Sequence, residues 1–156
     1  MWSVAIRRLE QILVKKYKLY TQDNGYKLVD TDNNKKVAQL TYVYNTDLSI
    51  LSLNVEPLYR RRGIATWLLL YTICSVVNKY PTLEYAFVDD MSDEGHRVGP
   101  NLYELIGFYY AIPPTEQFIK NGVLYWKIHG PERILNIEQL YCNIFSIIYR
   151  LSKKVC

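Results

Sequence analysis

Apolar residues along this chain change their spacing several times, and each change marks an element. Trp2, Ala5, Ile6, Leu9, Ile12 and Leu13 recur at three- and four-residue steps, with Arg7, Arg8, Glu10 and Lys15 between them. That spacing predicts an amphipathic helix from Met1 to about Lys16, packed on the domain or laid against a membrane surface or partner. At most a short strand near Tyr17 to Thr21 follows. Gly25–Asp30 and Lys36–Tyr44 read as strands joined by the Asp32–Asn34 turn, and Leu48–Val55 (LSILSLNV) completes an antiparallel meander. Helical spacing returns at Trp67, Leu68, Tyr71, Ile73, Cys74 and Val77 within Ile64–Lys79, closed by Pro81. Leu83–Val88 is a strand, and DDMSDEGHRVGPN a loop. Pro100 opens a short helix through Ile106, with Gly107 as its left-handed cap. Phe108–Ile112 and Gly122–Ile128 read as strands separated by Pro113 and Pro114. Ile134–Leu151 reads as a helix with a wide apolar face: Ile134, Ile137, Leu140, Tyr141, Ile144, Phe145, Ile148 and Leu151. Without repeat or linker, residues 1–156 form one α+β domain.

Between the third meander strand and the long helix the chain reads NVEPLYRRRGIATWLLL, from Asn54 to Leu70. Pro57 cannot donate to a sheet ladder, so the arginines occupy a strand-to-helix turn. The amides of Arg62, Gly63, Ile64 and Ala65 have no intrahelical acceptor and point out of the positive end of the helix dipole, which favours an anion. Gly63 lacks a Cβ and lets a phosphate approach the backbone. A basic triplet elsewhere is a solvated face, an import signal or a nucleic-acid patch. In this turn, with no stacking platform for bases, it points to a phosphorylated ligand and away from nucleic acid.

Composition narrows the picture further. The chain is 49% hydrophobic and 22% charged, ordinary for a globular protein, and its formal charge of +4 is too mild to require a polyanion-binding surface. Cys74, Cys142 and Cys156 are odd in number and lack metal-ligand spacing, and His96 and His129 stand far apart. No metal site is expected, and reduced thiols in the cytoplasm are. No stretch is apolar enough to span a membrane, and charges interrupt Met1–Val14, so a soluble, unprocessed protein is expected.

Arg60, Gly63 and Ala65 fit the pattern Arg or Gln, two residues, Gly, one residue, Gly or Ala, behind a strand ending in Val-x-Pro. Leu102, Tyr103, Gly107 and Phe108 (NLYELIGFYY) fit a Leu-Tyr-x-x-x-Gly-Phe segment. Both patterns, in this order, resemble the GNAT (GCN5-related) acetyltransferases over about Lys36 to Ile128. The resemblance implies a mixed, mostly antiparallel central sheet flanked by helices. It departs from this chain at the N-terminal side, where one helix replaces the family's strand and two helices, and at the added C-terminal helix. That helix covers surface left open by the missing one, or forms a homodimer.

The resemblance implies acetyl-CoA as cosubstrate, with its pyrophosphate on Arg60, Arg61, Arg62, Gly63, Ile64 and Ala65 and its pantetheine arm along Asn54 and Val55. Tyr103 stands where relatives carry the tyrosine that protonates the departing sulfur. A glutamate that relatives carry on the central strand corresponds to a place near Ser49; Glu56, Asp47, Asp89 and Asp90 are candidates for the base, or a water chain serves. Counting seven residues back from Tyr103 to the family's asparagine gives His96, either a substitute base or an exposed loop residue. Asp47, Asp89, Asp90, Asp93 and Glu94 can form an acidic cleft for a cationic amine: a protein lysine, an N-terminus or a small amine. Two functions remain: an N-acetyltransferase working by direct attack in a ternary complex, and a noncatalytic protein of the same fold that binds CoA or a partner.

Overall fold

The computed structural model describes residues 2–13, 16–88, 96–99, 101–127 and 133–155. Helix α1 (Trp2–Leu13) leads into a hairpin of β1 (Tyr17–Gln22) and β2 (Gly25–Asp30), followed by β3 (Lys35–Asn45) and β4 (Asp47–Val55). A 3-10 turn (Pro57–Tyr59) and helix α2 (Ile64–Lys79) connect β4 to β5 (Tyr85–Val88). Helix α3 (Leu102–Ile106), β6 (Tyr109–Tyr110), a hairpin of β7 (Glu116–Lys120) and β8 (Val123–Lys127), β9 (Arg133–Asn136) and helix α4 (Ile137–Val155) complete the order.

Seven strands form one sheet in the order β1-β2-β3-β4-β5-β9-β6. Every pairing in it is antiparallel except β4 with β5, which α2 joins as a crossover. The α+β class and the mostly antiparallel sheet expected from sequence are therefore present.

Alternation along the strands buries Ala38, Leu40, Leu48, Ile50, Ala86, Val88 and Leu135 on the side of the helices. Thr41, Val43, Ser49, Ser52 and Phe87 point to the other face, and none is buried. Helices α1, α2 and α4 pack against one another on the covered side. There the Trp67 indole N–H of α2 donates to the Leu9 carbonyl of α1 at 2.8 Å, fully inside the core.

Helix α4 buries Ile137, Leu140, Ile144, Ile147, Ile148 and Leu151 within the chain itself. Its wide apolar face is thus covered without a second copy, which removes the physical reason for expecting a dimer through it.

Three expectations need correction. Ile134 belongs to strand β9 rather than to the last helix, because β9 pairs with both β5 and β6. Asn136 separates the two elements by capping α4, its side-chain oxygen accepting from the Gln139 amide at 3.1 Å. Phe108–Ile112 contracts to Tyr109–Tyr110. The strand near Gly122–Ile128 pairs with β7, an element absent from the sequence reading, in a separate two-stranded sheet. Asn121 and Gly122 join that hairpin with φ of 51° and 76°, the geometry of a two-residue primed turn.

Trp67→Phe removes the interhelical hydrogen bond and leaves a void between α1 and α2. It is expected to cost about 2 kcal/mol, measured by urea unfolding; a wild-type midpoint would show that this contact does not hold the helices together.

Candidate functional site

The site begins with a fault in the sheet. Thr41 pairs with Ser52 and Tyr42 with Ile50, so Leu51 is an extra, unpaired residue in β4. Such a bulge bends its strand and increases local twist. The parallel pairing of β4 with β5 also stops here, at Ile50 with Val88. Beyond that point Ser52–Val55 have no partner on the β5 side among the described residues, and the two strands part.

Peptide groups alternate along the remaining length of β4. The Glu56 amide donates to the Val37 carbonyl at 2.8 Å, so by alternation the polar groups of Val55 face the opened side. Asn54 pairs with Gln39 and directs its groups towards β3. Of the two residues expected to carry an extended ligand arm, Val55 alone presents its backbone to the opening. Its carbonyl already accepts from Arg60 Nε at 2.9 Å, leaving the amide.

The turn that follows is anchored from below. The Tyr59 hydroxyl donates to Asp30 Oδ2 at 2.7 Å, the Asp32 amide donates to Oδ1 at 2.9 Å, and Asn33 Nδ2 donates to the Tyr59 oxygen at 3.2 Å. The Tyr59 hydrogen bond, followed by the Asp32 amide, holds the Asp30 carboxyl below its ordinary value of 3.8; Asp30 in turn raises Tyr59. This network ties the 3-10 turn to the β2–β3 connection.

The three arginines divide their work. Arg60 holds the Val55 carbonyl, and the Arg62 guanidinium lies 5.4 Å from the centre of the Tyr59 ring. Arg61 is exposed, has a left-handed backbone at φ 64°, and forms no hydrogen bond or ion pair with a described residue. Gly63, at φ 80°, starts α2, whose first backbone bond runs from the Trp67 amide to the Gly63 carbonyl at 2.9 Å. The amides of Ile64, Ala65 and Thr66 precede that bond, no side chain caps them, and no acidic residue occupies the first turn. Uncapped amides beside an unpaired arginine fit an anionic group.

Gly63 has an additional role. A Cβ at this position would lie 2.9 Å from Leu151 Cδ1, 3.2 Å from Val155 Cγ2 and 3.3 Å from Lys154 Cβ. The missing side chain therefore makes room for the end of α4, in addition to permitting the left-handed backbone.

Tyr103 is 2% exposed, its ring set edge-on against Phe108 with centroids 5.8 Å apart. Asn101 caps α3 by accepting from the amides of Tyr103 and Glu104, and Gly107 closes it at φ 117°. Beside Tyr103 lies a cluster that sequence reading did not find. Arg133, 2% exposed, pairs with Glu104 at 3.4 Å, donates from Nη2 to the Tyr110 hydroxyl at 2.6 Å, and stacks 4.0 Å from the Tyr110 ring. Its guanidinium carbon lies 5.7 Å from the centre of the Tyr103 ring. His96 Nδ1 is 3.2 Å from the Tyr110 hydroxyl, so this histidine is partly buried rather than a loop residue in solvent. Burial raises the Tyr110 phenol, and Arg133 opposes that shift.

Glu56 is exposed at the end of β4, five residues and roughly 17 Å along the strand from Leu51. Asp47 instead lines a cavity of about 360 Å³ with Val43, Asn45, Ser49 and Phe87, on the face away from the helices. Ser49 and Phe87 pair one step before the strands part. Asp89, Asp90, Asp93, Glu94 and His129 lie outside the described residues. Cys74 is buried and its thiol is pushed up to about 12, which leaves it unreactive. Among the described residues no group of three or more His, Cys, Asp or Glu gathers at a metal site, and no helix is long and apolar enough to cross a membrane.

No protein-family model matches the sequence, and no curated protein matches it. Solved structures do match in fold. A spermidine/spermine N-acetyltransferase, SpeG from Vibrio cholerae, is similar over 90% of this chain and 92% of its own, at 11% identity and a TM-score of 0.53. A structure described as a bacterial toxin is similar over 78% of this chain and 71% of its own, at 14% identity and a TM-score of 0.51. An acetyltransferase of the GNAT family from Bacillus anthracis covers 74% of this chain and 67% of its own, at 14% identity and a TM-score of 0.47. The chain has the fold of the GNAT acetyltransferases.

Gly63→Ala introduces both a strained φ and a collision with α4, and is expected to cost about 1–3 kcal/mol. Gly99→Ala, at φ 101° with no described residue within 4 Å, carries the strain alone and should cost less. Equal denaturation midpoints for the two variants would discount the α4 contact. Because the folded pKa of Asp30 is depressed, its ionised form adds stability above the unfolded value, and this is lost as pH falls through the folded value. The stability gap between wild type and Asp30→Asn should therefore hold steady from about pH 5 to 7 and shrink below about pH 4; a gap that widens in acid would refute the assignment.

Proposed function

We propose that this chain is an acetyl-CoA-dependent N-acetyltransferase that acts on a primary amine by direct attack in a ternary complex. The observation that carries this reading is the opened edge of β4, which leads past the inward-facing Val55 amide to an uncapped helix start with an unpaired Arg61. Acetyl-CoA, when bound, supplies an activated acyl group whose transfer forms an amide and releases a thiol. Arg61 and the amides of Ile64 and Ala65 hold its phosphates, while Arg60 and Arg62 brace the turn from either side. The Val55 amide is the donor placed to polarise a carbonyl in the opening.

Asp47 gives the cavity beside the Ser49–Phe87 pair a negative wall, and Phe87 gives it an aromatic one. Both favour a cationic amine, such as a protein lysine, an N-terminus or a polyamine. Asp47 or Glu56 takes the proton that the amine must lose, and Tyr103 returns one to the departing sulfur. The deep burial of Tyr103 favours a second reading, in which the residue is packing only and the protein binds CoA without turnover.

Acetyl-CoA turnover against a panel of peptides and small amines tests the proposal. Activity with at least one cationic amine is expected, and Tyr103→Phe should lower kcat on the order of a hundredfold while leaving acetyl-CoA affinity near wild type. Full activity in Tyr103→Phe removes that residue from the chemistry. CoA binding with no turnover on any amine establishes the noncatalytic reading.

A further inference from the structure

Helix α4 reaches its C-terminal end against the start of α2, and Leu151, Lys154 and Val155 surround Gly63. The last turn of α4 carries two cations, which part company there. Lys153 lays its ammonium 4.6 Å from the centre of the Tyr149 ring on its own helix. Lys154 has its Cβ within 3.3 Å of the position a Gly63 side chain would occupy. It is exposed and forms no hydrogen bond or ion pair with a described residue.

Four cations from two distant parts of the chain therefore converge on one helix start. Arg60, Arg61 and Arg62 lead into the positive end of α2 and Lys154 stands beside Gly63 at its start, and none of the four forms an ion pair with a carboxylate of the described residues. The exposed carbonyls at the end of α4 favour a cation in its last turn. Lys153 or Lys154 alone meets that need, and it does not account for the seating of Lys154 at Gly63. Like charges gathered at a positive dipole raise the energy of the unliganded protein and lower it when an anion arrives.

We infer that Lys154 is a phosphate-binding residue of the cosubstrate site, resting on the transferase reading above, and that α4 forms the second wall of that site. Its flexible four-carbon stem carries the ammonium past Gly63 towards the amides of Ile64 and Ala65. Arg61 approaches from the strand side and Lys154 from the helix side. A ligand with adjacent phosphates is held between them, and its binding strengthens the docking of α4 on the turn.

Calorimetric titration of the full chain with CoA and, separately, with inorganic pyrophosphate tests this. Lys154→Gln should weaken CoA about tenfold at low ionic strength, with the difference shrinking at about 0.5 M salt. Lys154→Arg should stay within about threefold of wild type, and Lys153→Gln should bind as wild type does. Without ligand, Lys154→Arg and Lys153→Gln should melt as wild type does and Lys154→Gln no lower, since the side chains are exposed. CoA binding that is unchanged in Lys154→Gln, or equally weakened in Lys153→Gln, overturns the role of Lys154 and leaves the transferase reading intact. Pyrophosphate binding that depends on Lys154, in a protein that does not bind CoA, keeps the anion site and removes the transferase reading. Failure of both probes to bind removes both.

Discussion

The end of the parallel pairing between β4 and β5 determines where everything else in this protein can act. A strand inside a sheet has its backbone groups committed on both sides, and it offers a ligand only side chains. Leu51 breaks that condition for β4. The extra residue turns the strand's last part away from β5 while its pairing with β3 continues to Val55. The freed edge stays rigid because one neighbour still holds it, and it leads straight into the Arg60–Gly63 turn. A looser segment would supply the same groups without fixing their direction.

Two anchors keep that turn in place, and they come from opposite ends of the chain. Asp30, at the end of β2, receives Tyr59, and Leu151 of α4 packs against Gly63. The first is a polar contact whose strength follows the ionisation of one carboxylate. The second is steric and insensitive to pH. The turn itself has left-handed residues at Arg61 and Gly63, a conformation that persists only where the surroundings impose it.

The fold was legible in the sequence wherever local pattern and tertiary role coincide. Helix α2 has the limits its apolar spacing indicated, and Gly107 adopts the left-handed cap expected of a glycine after a short helix. The fault lines lie where one pattern serves two elements. Ile134 stands three residues before Ile137 and so mimics the first turn of α4, while Asn136 carries the capping signal that separates them. Asn121–Gly122 is a strong hairpin signal, but β7 is exposed along its length and lacks the alternation that marks a strand. For the site, the basic triplet was visible because its members are consecutive. Lys154 and Arg133 were not, because nothing in their local sequence says that they fold against Gly63 and Tyr103.

The strand order has a consequence for how the molecule is made. Strand β9 sits between β5 and β6 although it is the last strand in the sequence. Until residues 133–136 are synthesised and inserted, β5 presents an open edge and β6 has nowhere to dock. Such a gap is a template for pairing with another chain. Closure also requires contacts between segments almost fifty residues apart, which makes it slow compared with the local meander β1–β4. The meander β1–β4 pairs only strands that are neighbours in sequence and has no such gap to close.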